Sequence, residues 1–187
     1  MQKNIIIELT KPIRFKIMKR LFIAIALITG LSLTFMAQDN TSTYTKVGDD
    51  APTFRFMTID GKEFNTAQLK GKVVMINFFA TWCPPCKKEL PVLQKNISEK
   101  YSNNSDFVLV VVGREHNAGE LIKFAEDNKY MLPFAPDPER DIYSLFAEKT
   151  IPRNVIIDKN GKISFQSIGY TEGEFNKLEQ HLADLLK

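Results

Sequence analysis

Cysteine and histidine are scarce in this sequence, with only two of each among 187 residues. The cysteines, Cys83 and Cys86, form one C-x-x-C pair, whereas a tetrahedral zinc site needs two further ligands. We interpret His116 as a polar loop residue and His181 as a solvated or core-edge residue of the last helix. We therefore expect no metal. Sequence repeats and low-complexity tracts are also absent, and the apolar content of 44% is that of an ordinary globular protein.

An excess of charge of one sign is absent once the N-terminal segment is set aside. Residues 1–37 hold six of the 25 basic residues and one of the 22 acidic residues. The remaining chain has 19 basic and 21 acidic residues, which gives a formal net charge of −2. Basic stripes with interleaved aromatic residues are also missing, so we expect no binding to nucleic acid.

The N-terminal segment carries the one long apolar run of the chain. Six basic residues precede the run at 21–37, and this pattern predicts a secretory signal over 1–37, with Met18 as an alternative start. A run of this length is also near the lower limit for crossing a bilayer, so a retained anchor through 21–37 is the alternative. We expect export in both cases, a flexible polar lead-in at 38–46 and one domain at 47–187.

Strand and helix patterns alternate along this domain. Apolar runs predict buried strands at 72–79 and 106–112. Turn signals at Asp60-Gly61 and Asn160-Gly161 predict two hairpins. Helical spacing predicts helices at 84–101, 118–127, 140–147 and from 175 to the end. This order predicts an α/β fold, with a central mixed sheet, helices on both of its faces and an N-terminal hairpin extension.

The C-x-x-C pair fits thiol–disulfide exchange better than a structural role. A disulfide across two residues closes a very short loop and stabilises the fold little. At a strand-to-helix junction, Cys83 occupies the N-cap, where free N–H groups and the helix dipole favour a thiolate. Cys86, one turn further, can then attack the mixed disulfide. Pro84 and Pro85 suit the first helical turn and remove two N–H donors to the thiolate, which predicts weaker thiolate stabilisation than in a strong oxidant.

The stretch FFATWCPPCKKELP, together with the later TIP, resembles the thioredoxin superfamily, and more closely the exported TlpA/ResA-like thiol–disulfide oxidoreductases. The resemblance implies a thioredoxin-like fold, with Cys83 as the attacking and Cys86 as the resolving cysteine. It also implies that Trp82 packs beside the active site; a plain core aromatic is the alternative. Pro152 matches the cis-proline that faces the disulfide, which would expose the Ile151 backbone to an extended substrate; a trans proline is the alternative.

One position departs from thioredoxin. Asn77 stands where thioredoxin has a buried aspartate, and an amide cannot relay a proton. The resemblance to ResA-like proteins assigns this role to Glu89 in the active-site helix. A partly buried carboxylate with a raised pKa can take the proton of Cys86. A solvated helical glutamate is the alternative.

The resemblance implies an exported protein-disulfide reductase, without a cofactor, in the periplasm or on the outer face of the cytoplasmic membrane. The implied partners are clients bearing disulfides, such as apocytochrome c, and a membrane thiol transporter that supplies electrons. One alternative is a thiol peroxidase of the peroxiredoxin type, but Ala80 stands where those enzymes have threonine. Another is a Cu(I) chaperone of the Sco type, which uses a wider C-x-x-x-C spacing and a distal histidine.

Overall fold

The computed structural model describes residues 42–187. The predictions for 1–37, and those for the lead-in before residue 42, lie outside the described residues. The remainder of the lead-in is hydrogen-bonded to the domain: the Tyr44 amide donates to the Phe146 carbonyl at 2.8 Å, and Thr43 forms a bridge with Ala147. Among the residues that the structure describes, no helix has the length and apolar character to cross a membrane.

A five-stranded mixed sheet forms the centre of the domain. Its strands lie in the order β5-β4-β3-β6-β7, with β3, β4 and β5 parallel and with β6 and β7 antiparallel to their neighbours. This arrangement confirms the predicted thioredoxin-like sheet. The strands are β3 (Val73–Phe79), β4 (Phe107–Arg114), β5 (Phe134–Asp137), β6 (Arg153–Ile157) and β7 (Ile163–Ile168).

The predicted N-terminal hairpin is present as β1 (Arg55–Met57) and β2 (Glu63–Asn65). Gly61 adopts a φ of +82° in the turn, a conformation that glycine tolerates without strain. Phe56 is buried and stacks on Phe64 across the hairpin, with 4.9 Å between the ring centres. The hairpin thus contributes an apolar face to the domain core.

The sequence patterns predict no strand at the position of β5, and they predict a helix at 140–147. Pro136 lies within β5, and it is tolerated because this strand is at the sheet edge. The predicted helix is wrong: only a single 3₁₀ turn, Tyr143–Leu145, forms. The buried Asp137 carboxylate accepts hydrogen bonds from the amides of Ile142 and Tyr143, at 3.0 and 2.9 Å, and holds this segment as a loop.

Three α-helices pack on the sheet: α1 (Pro84–Leu93), α2 (Ala118–Asn128) and α3 (Glu172–Leu185). Their apolar residues all join one core cluster. The sheet is therefore flanked by helices, as predicted, with the α-helices on one face and the 3₁₀ turn Tyr143–Leu145 on the other. The crossovers β3-α1-β4 and β4-α2-β5 run in the same direction across the sheet, and right-handed crossovers then place both helices on one side. The other face is covered by Phe56 of the hairpin and by residues around the 3₁₀ turn.

The active-site helix is shorter than predicted. Its α-helical part ends at Leu93, and a π-helical segment, Gln94–Glu99, continues the predicted 84–101 helix. Pro91 lies inside α1 and has no N–H to donate to the preceding turn. At the end of α1, the Gln94 amide is shared between the Leu90 and Pro91 carbonyls, four and three residues before it.

Strand β3 leads directly to the candidate site. All seven of its residues are buried, including the polar Asn77. Side chains alternate between the two cores, so Asn77 lies on the face that the helices cover. At its carboxyl end the chain turns through residues 80–83 into α1, which places Cys83 at the top of the sheet.

Candidate active site

Cys83 and Cys86 form a disulfide, with an S–S distance of 2.12 Å. Cys83 is the N-cap residue of α1, as predicted, and its Sγ accepts a hydrogen bond from the Cys86 amide at 3.3 Å. Pro84 and Pro85 fill the first two helical positions. Cys83 is 3% exposed and Cys86 is fully buried, so any partner must approach through Cys83.

The Ile151–Pro152 peptide bond is cis, as the sequence predicted. The Ile151 carbonyl oxygen lies 3.8 Å from Cys83 Sγ, so this segment borders the disulfide directly. The Pro152 carbonyl accepts a hydrogen bond from the Gly169 amide at 2.8 Å. The loop before β6 is thereby attached to the end of β7 and forms one wall of the site.

Glu89 is buried beneath the disulfide, with only 1% of its surface exposed, so it is not a solvated helical glutamate. It follows Cys86 by three residues in α1, a spacing that puts both side chains on the same helix face. Burial raises the pKa of Glu89 to about 7, and hydrogen bonds from Asn154 and Asn77 partly oppose this rise. Near neutral pH this carboxyl group can therefore both accept and release a proton.

Two buried amides hold the Glu89 carboxylate. Asn154 Nδ2 donates to Glu89 Oε1 at 2.6 Å, and Asn77 Nδ2 donates to Oε2 at 3.0 Å. Asn77 Nδ2 also donates to Asn154 Oδ1 at 2.8 Å, across the paired strands β3 and β6. The sequence alone shows Asn77 only as a replaced aspartate and gives no signal for Asn154, because only the strand pairing brings the two amides together.

Trp82 lies on the surface next to Cys83. Its exposed fraction of 55% excludes the alternative of a plain core aromatic. The Arg114 guanidinium lies 5.4 Å from the centre of the Trp82 ring and 5.1 Å from that of Tyr143. Such cation–π contacts orient the tryptophan while leaving part of it accessible to a partner. The sequence analysis did not identify Arg114.

His116 contacts the active-site turn. Its interpretation as a polar loop residue did not include this contact. It is 6% exposed, and its Nε2 accepts a hydrogen bond from the Thr81 amide at 3.0 Å. His181 is elsewhere, with Nε2 3.0 Å from Ser164 Oγ and its ring beside Phe165. Within residues 42–187, no group of three or more His, Cys, Asp or Glu side chains is placed to hold a metal ion.

A buried C-x-x-C disulfide at the start of a helix, bordered by a cis-proline loop, defines a thioredoxin-like thiol–disulfide oxidoreductase. The Redoxin family model matches residues 46–182. The chain belongs to the Redoxin family, and within it this protein is a ResA-like thiol–disulfide oxidoreductase.

Curated relatives and solved structures agree with this assignment. The chain is 29% identical over 171 residues to the thiol–disulfide oxidoreductase ResA of Geobacillus thermodenitrificans, covering 91% of this chain and 96% of that protein. It is 31% identical over 124 residues to ResA of Bacillus thuringiensis strain Al Hakam, covering 66% of this chain and 70% of that protein.

Among solved structures, the fold resembles a candidate protein disulfide isomerase from Bacteroides thetaiotaomicron, with a TM-score of 0.74, 36% identity and coverage of 78% of this chain and 93% of that one. StoA from Bacillus subtilis gives a TM-score of 0.58 and 27% identity, with coverage of 70% of this chain and 96% of that one.

Proposed function

We propose that this protein is exported and reduces disulfides in client proteins, apocytochrome c among them. The observation that carries the proposal is the set of groups on either side of the disulfide. The Ile151 carbonyl borders Cys83, Cys83 is bonded to Cys86, and the buried Glu89 follows Cys86 by three residues in the same helix. A client segment beside Ile151 would place its disulfide against Cys83, with a proton acceptor on the buried side.

The reaction begins from the reduced dithiol. The Cys83 thiolate attacks one sulfur of the client disulfide, and the other client sulfur leaves as a thiolate and takes a proton from solvent. Glu89 then accepts the proton of the Cys86 thiol. The Cys86 thiolate attacks Cys83 Sγ, which forms the enzyme disulfide and releases the second client thiolate. Two electrons pass to the client, and its disulfide becomes a dithiol.

Client binding involves the exposed apolar groups around Cys83. Trp82 on one side is 55% exposed, and Ile168 at the end of β7 is 50% exposed. Ile168 pairs with Arg153, the residue that follows Pro152, so it belongs to the same wall as the cis-proline loop. An extended client segment can therefore hydrogen-bond to the Ile151 backbone and rest its side chains on these two residues.

Electrons must be resupplied after each turnover. An oxidising compartment would otherwise leave the Cys83–Cys86 pair oxidised, so we assign a membrane thiol transporter as the donor. The signal pattern at 1–37, or an anchor retained through 21–37, supports a place in the periplasm or on the outer face of the cytoplasmic membrane.

Trapping of the mixed disulfide tests this proposal. Reduced Cys86→Ser protein should form a stable covalent complex with a peptide that carries an oxidised C-x-x-C-H haem-attachment motif. Reduced Cys83→Ser protein, the matched control, should form none, because its remaining thiol is fully buried. A complex with Cys83→Ser but not with Cys86→Ser would contradict the assigned roles.

Two further assays address the alternative functions. Peroxide turnover by the wild-type protein at a rate above that of disulfide reduction would support a thiol peroxidase. Stoichiometric Cu(I) bound after purification would support a copper chaperone, whose soft thiolate ligands suit this ion. We expect neither result.

A further inference from the structure

His116 connects three parts of the structure at the rim of the active site. It follows β4 in a loop where Glu115 has a φ of +65°, and this turn directs the chain back toward the sheet. The His116 amide donates to the Gly113 carbonyl at 3.2 Å, and its carbonyl accepts from the Asp137 amide at 3.2 Å. Backbone contacts with β4 and β5 therefore fix the position of this imidazole.

The imidazole holds the turn that carries Cys83. Its Nε2 accepts a hydrogen bond from the Thr81 amide at 3.0 Å, two residues before Cys83. Two backbone hydrogen bonds also hold this turn: the Cys83 amide donates to the Ala80 carbonyl at 3.1 Å, and the Lys87 amide donates to the Cys83 carbonyl at 3.2 Å. An amide that donates to Nε2 requires this nitrogen to be without a proton, so the proton of the neutral ring is on Nδ1.

The other ring nitrogen faces an acidic side chain. Nδ1 lies 3.4 Å from Glu120 Oε2, and that carboxylate also accepts from the Asn117 amide at 2.8 Å, in the capping box of α2. The backbone hydrogen bond from Asn117 is the main cause that lowers the pKa of Glu120. Glu120 therefore carries its negative charge close to Nδ1, although the two atoms do not form a hydrogen bond.

We infer that His116 is a positioning residue for thiol–disulfide exchange, whose Nε2 fixes the turn before Cys83 by accepting the Thr81 amide. A side chain without an acceptor at this place would leave that amide without its partner and the turn less firmly held. The inference rests on the proposed role of Cys83 as the attacking cysteine.

Several charged groups surround this ring. Glu120, Lys123 and Asp127 line the open groove on the side of α2, together with Thr81 and the apolar Phe124. The Asp137 carboxylate of β5 is occupied by the Ile142 and Tyr143 amides. The charged neighbours of His116 in its own loop are Arg114 and Glu115, which contact each other at 3.4 Å.

A kinetic comparison isolates the role of the hydrogen-bond acceptor. The full chain is reduced, and its reaction with the small disulfide 5,5′-dithiobis(2-nitrobenzoate) is followed at one fixed pH. His116→Gln keeps an acceptor near the position of Nε2, whereas His116→Leu offers no acceptor. His181→Gln, the matched control, removes the other histidine, which contacts Ser164 instead.

We expect His116→Leu to react about fivefold more slowly than wild type, because the Thr81 amide loses its partner. His116→Gln should stay within about twofold of wild type, because it restores an acceptor. His181→Gln should react at the wild-type rate.

Two results would overturn the inference: an unimpaired His116→Leu protein, or equal impairment of the Leu and Gln variants. If His116→Leu does not fold, His116→Ala takes its place in this comparison, with the same expected and contrary results. Cys83→Ser tests the proposed function separately: a fast reaction that persists in this variant would refute Cys83 as the nucleophile, whatever the His116 variants show.

Discussion

Asn154 and Glu89 are joined by a hydrogen bond of 2.6 Å between Asn154 Nδ2 and Glu89 Oε1, in a region sealed from solvent. Asn154 belongs to the strand that follows the cis-proline, and Glu89 belongs to the helix that carries both cysteines. This contact links the segment that borders the disulfide to the group we assign as the proton acceptor. Glu89 is thus a buried acid whose surroundings are set by residues remote in sequence.

Replacing Glu89 by Gln should change how stability depends on pH. Burial raises the pKa of Glu89 from 4.5 to about 7, so the folded protein holds this proton more tightly than the unfolded chain does. The stability that this difference contributes is present below about pH 4.5 and is lost as the pH rises through about 7. Between pH 5 and pH 8, Glu89→Gln should gain about 2–3 kcal/mol relative to wild type.

Urea unfolding of the oxidised proteins at these two pH values measures this difference. Glu126→Gln, the same substitution at an exposed position of α2, serves as the control for the loss of one carboxylate. A difference between wild type and Glu89→Gln that is equal at both pH values would show that Glu89 does not titrate as described.

Removing the Asn154 amide should leave a smaller fraction of Glu89 ionised, and so able to accept a proton, at neutral pH. Asn154→Ala deletes a donor that lowers the pKa of Glu89, so this pKa should rise further above its ordinary value. We expect the pH profile of single-turnover disulfide reduction to move upward by about half a unit to one unit, with rates that converge at high pH. A profile that keeps its midpoint would contradict the link between Asn154 and proton transfer.

Ser167→Ala is the matched control for this variant. Ser167 Oγ accepts from the same Asn154 amide, at 3.4 Å, but does not contact Glu89. Its removal should leave the midpoint of the profile in place, whereas an equal shift in both variants would point to a general loosening of the strands.

Gly113 should not tolerate a larger residue, because it lies too close to α2 to leave room for a side chain. A Cβ at this position of β4 would lie 2.6 Å from Leu121 Cδ2, and Leu121 is fully buried. Gly113→Ala should therefore destabilise the fold by about 1–3 kcal/mol, as overpacked cores do. In a Leu121→Ala background the same change should cost less, because the deleted methyl groups leave room for the new one.

A double-mutant cycle by urea unfolding checks this coupling. Gly173→Ala, where nothing lies within 4 Å of the added Cβ, is the control and should be neutral or slightly stabilising. Additive effects of Gly113→Ala and Leu121→Ala would refute the steric explanation.

Local sequence patterns predicted most of the fold. The apolar runs that become β3 and β4 and the turn signal at Gly161 each rest on neighbouring residues, and all three predictions held. Strand β5 was not predicted, because a proline such as Pro136 is unusual in a strand unless that strand lies at the edge of the sheet, and only the structure shows that it does. The predicted 140–147 helix failed because the Asp137 carboxylate caps that segment through a tertiary contact.

The candidate site shows the same contrast between features that were predicted and contacts that form only in the folded protein. Cys83 as the helix N-cap follows from the C-x-x-C pattern at a strand-to-helix junction, and the cis bond at Pro152 followed from resemblance. His116 and Asn154 were not recognised, since their partners, Thr81 and Glu89, are distant in sequence and meet them only in the folded sheet. A lone histidine or asparagine carries no local signal of such a contact.

The midpoint potential of the Cys83–Cys86 couple tests the central claim most directly. The full chain would be equilibrated in thiol redox buffers, with the fluorescence of Trp82, its single tryptophan, as the readout. A reductant fed by a membrane thiol transporter should have a potential near that of thioredoxin, about −270 mV. A value near about −120 mV, that of a strong oxidant, would mean that the protein installs disulfides, and it would contradict the proposed direction of exchange.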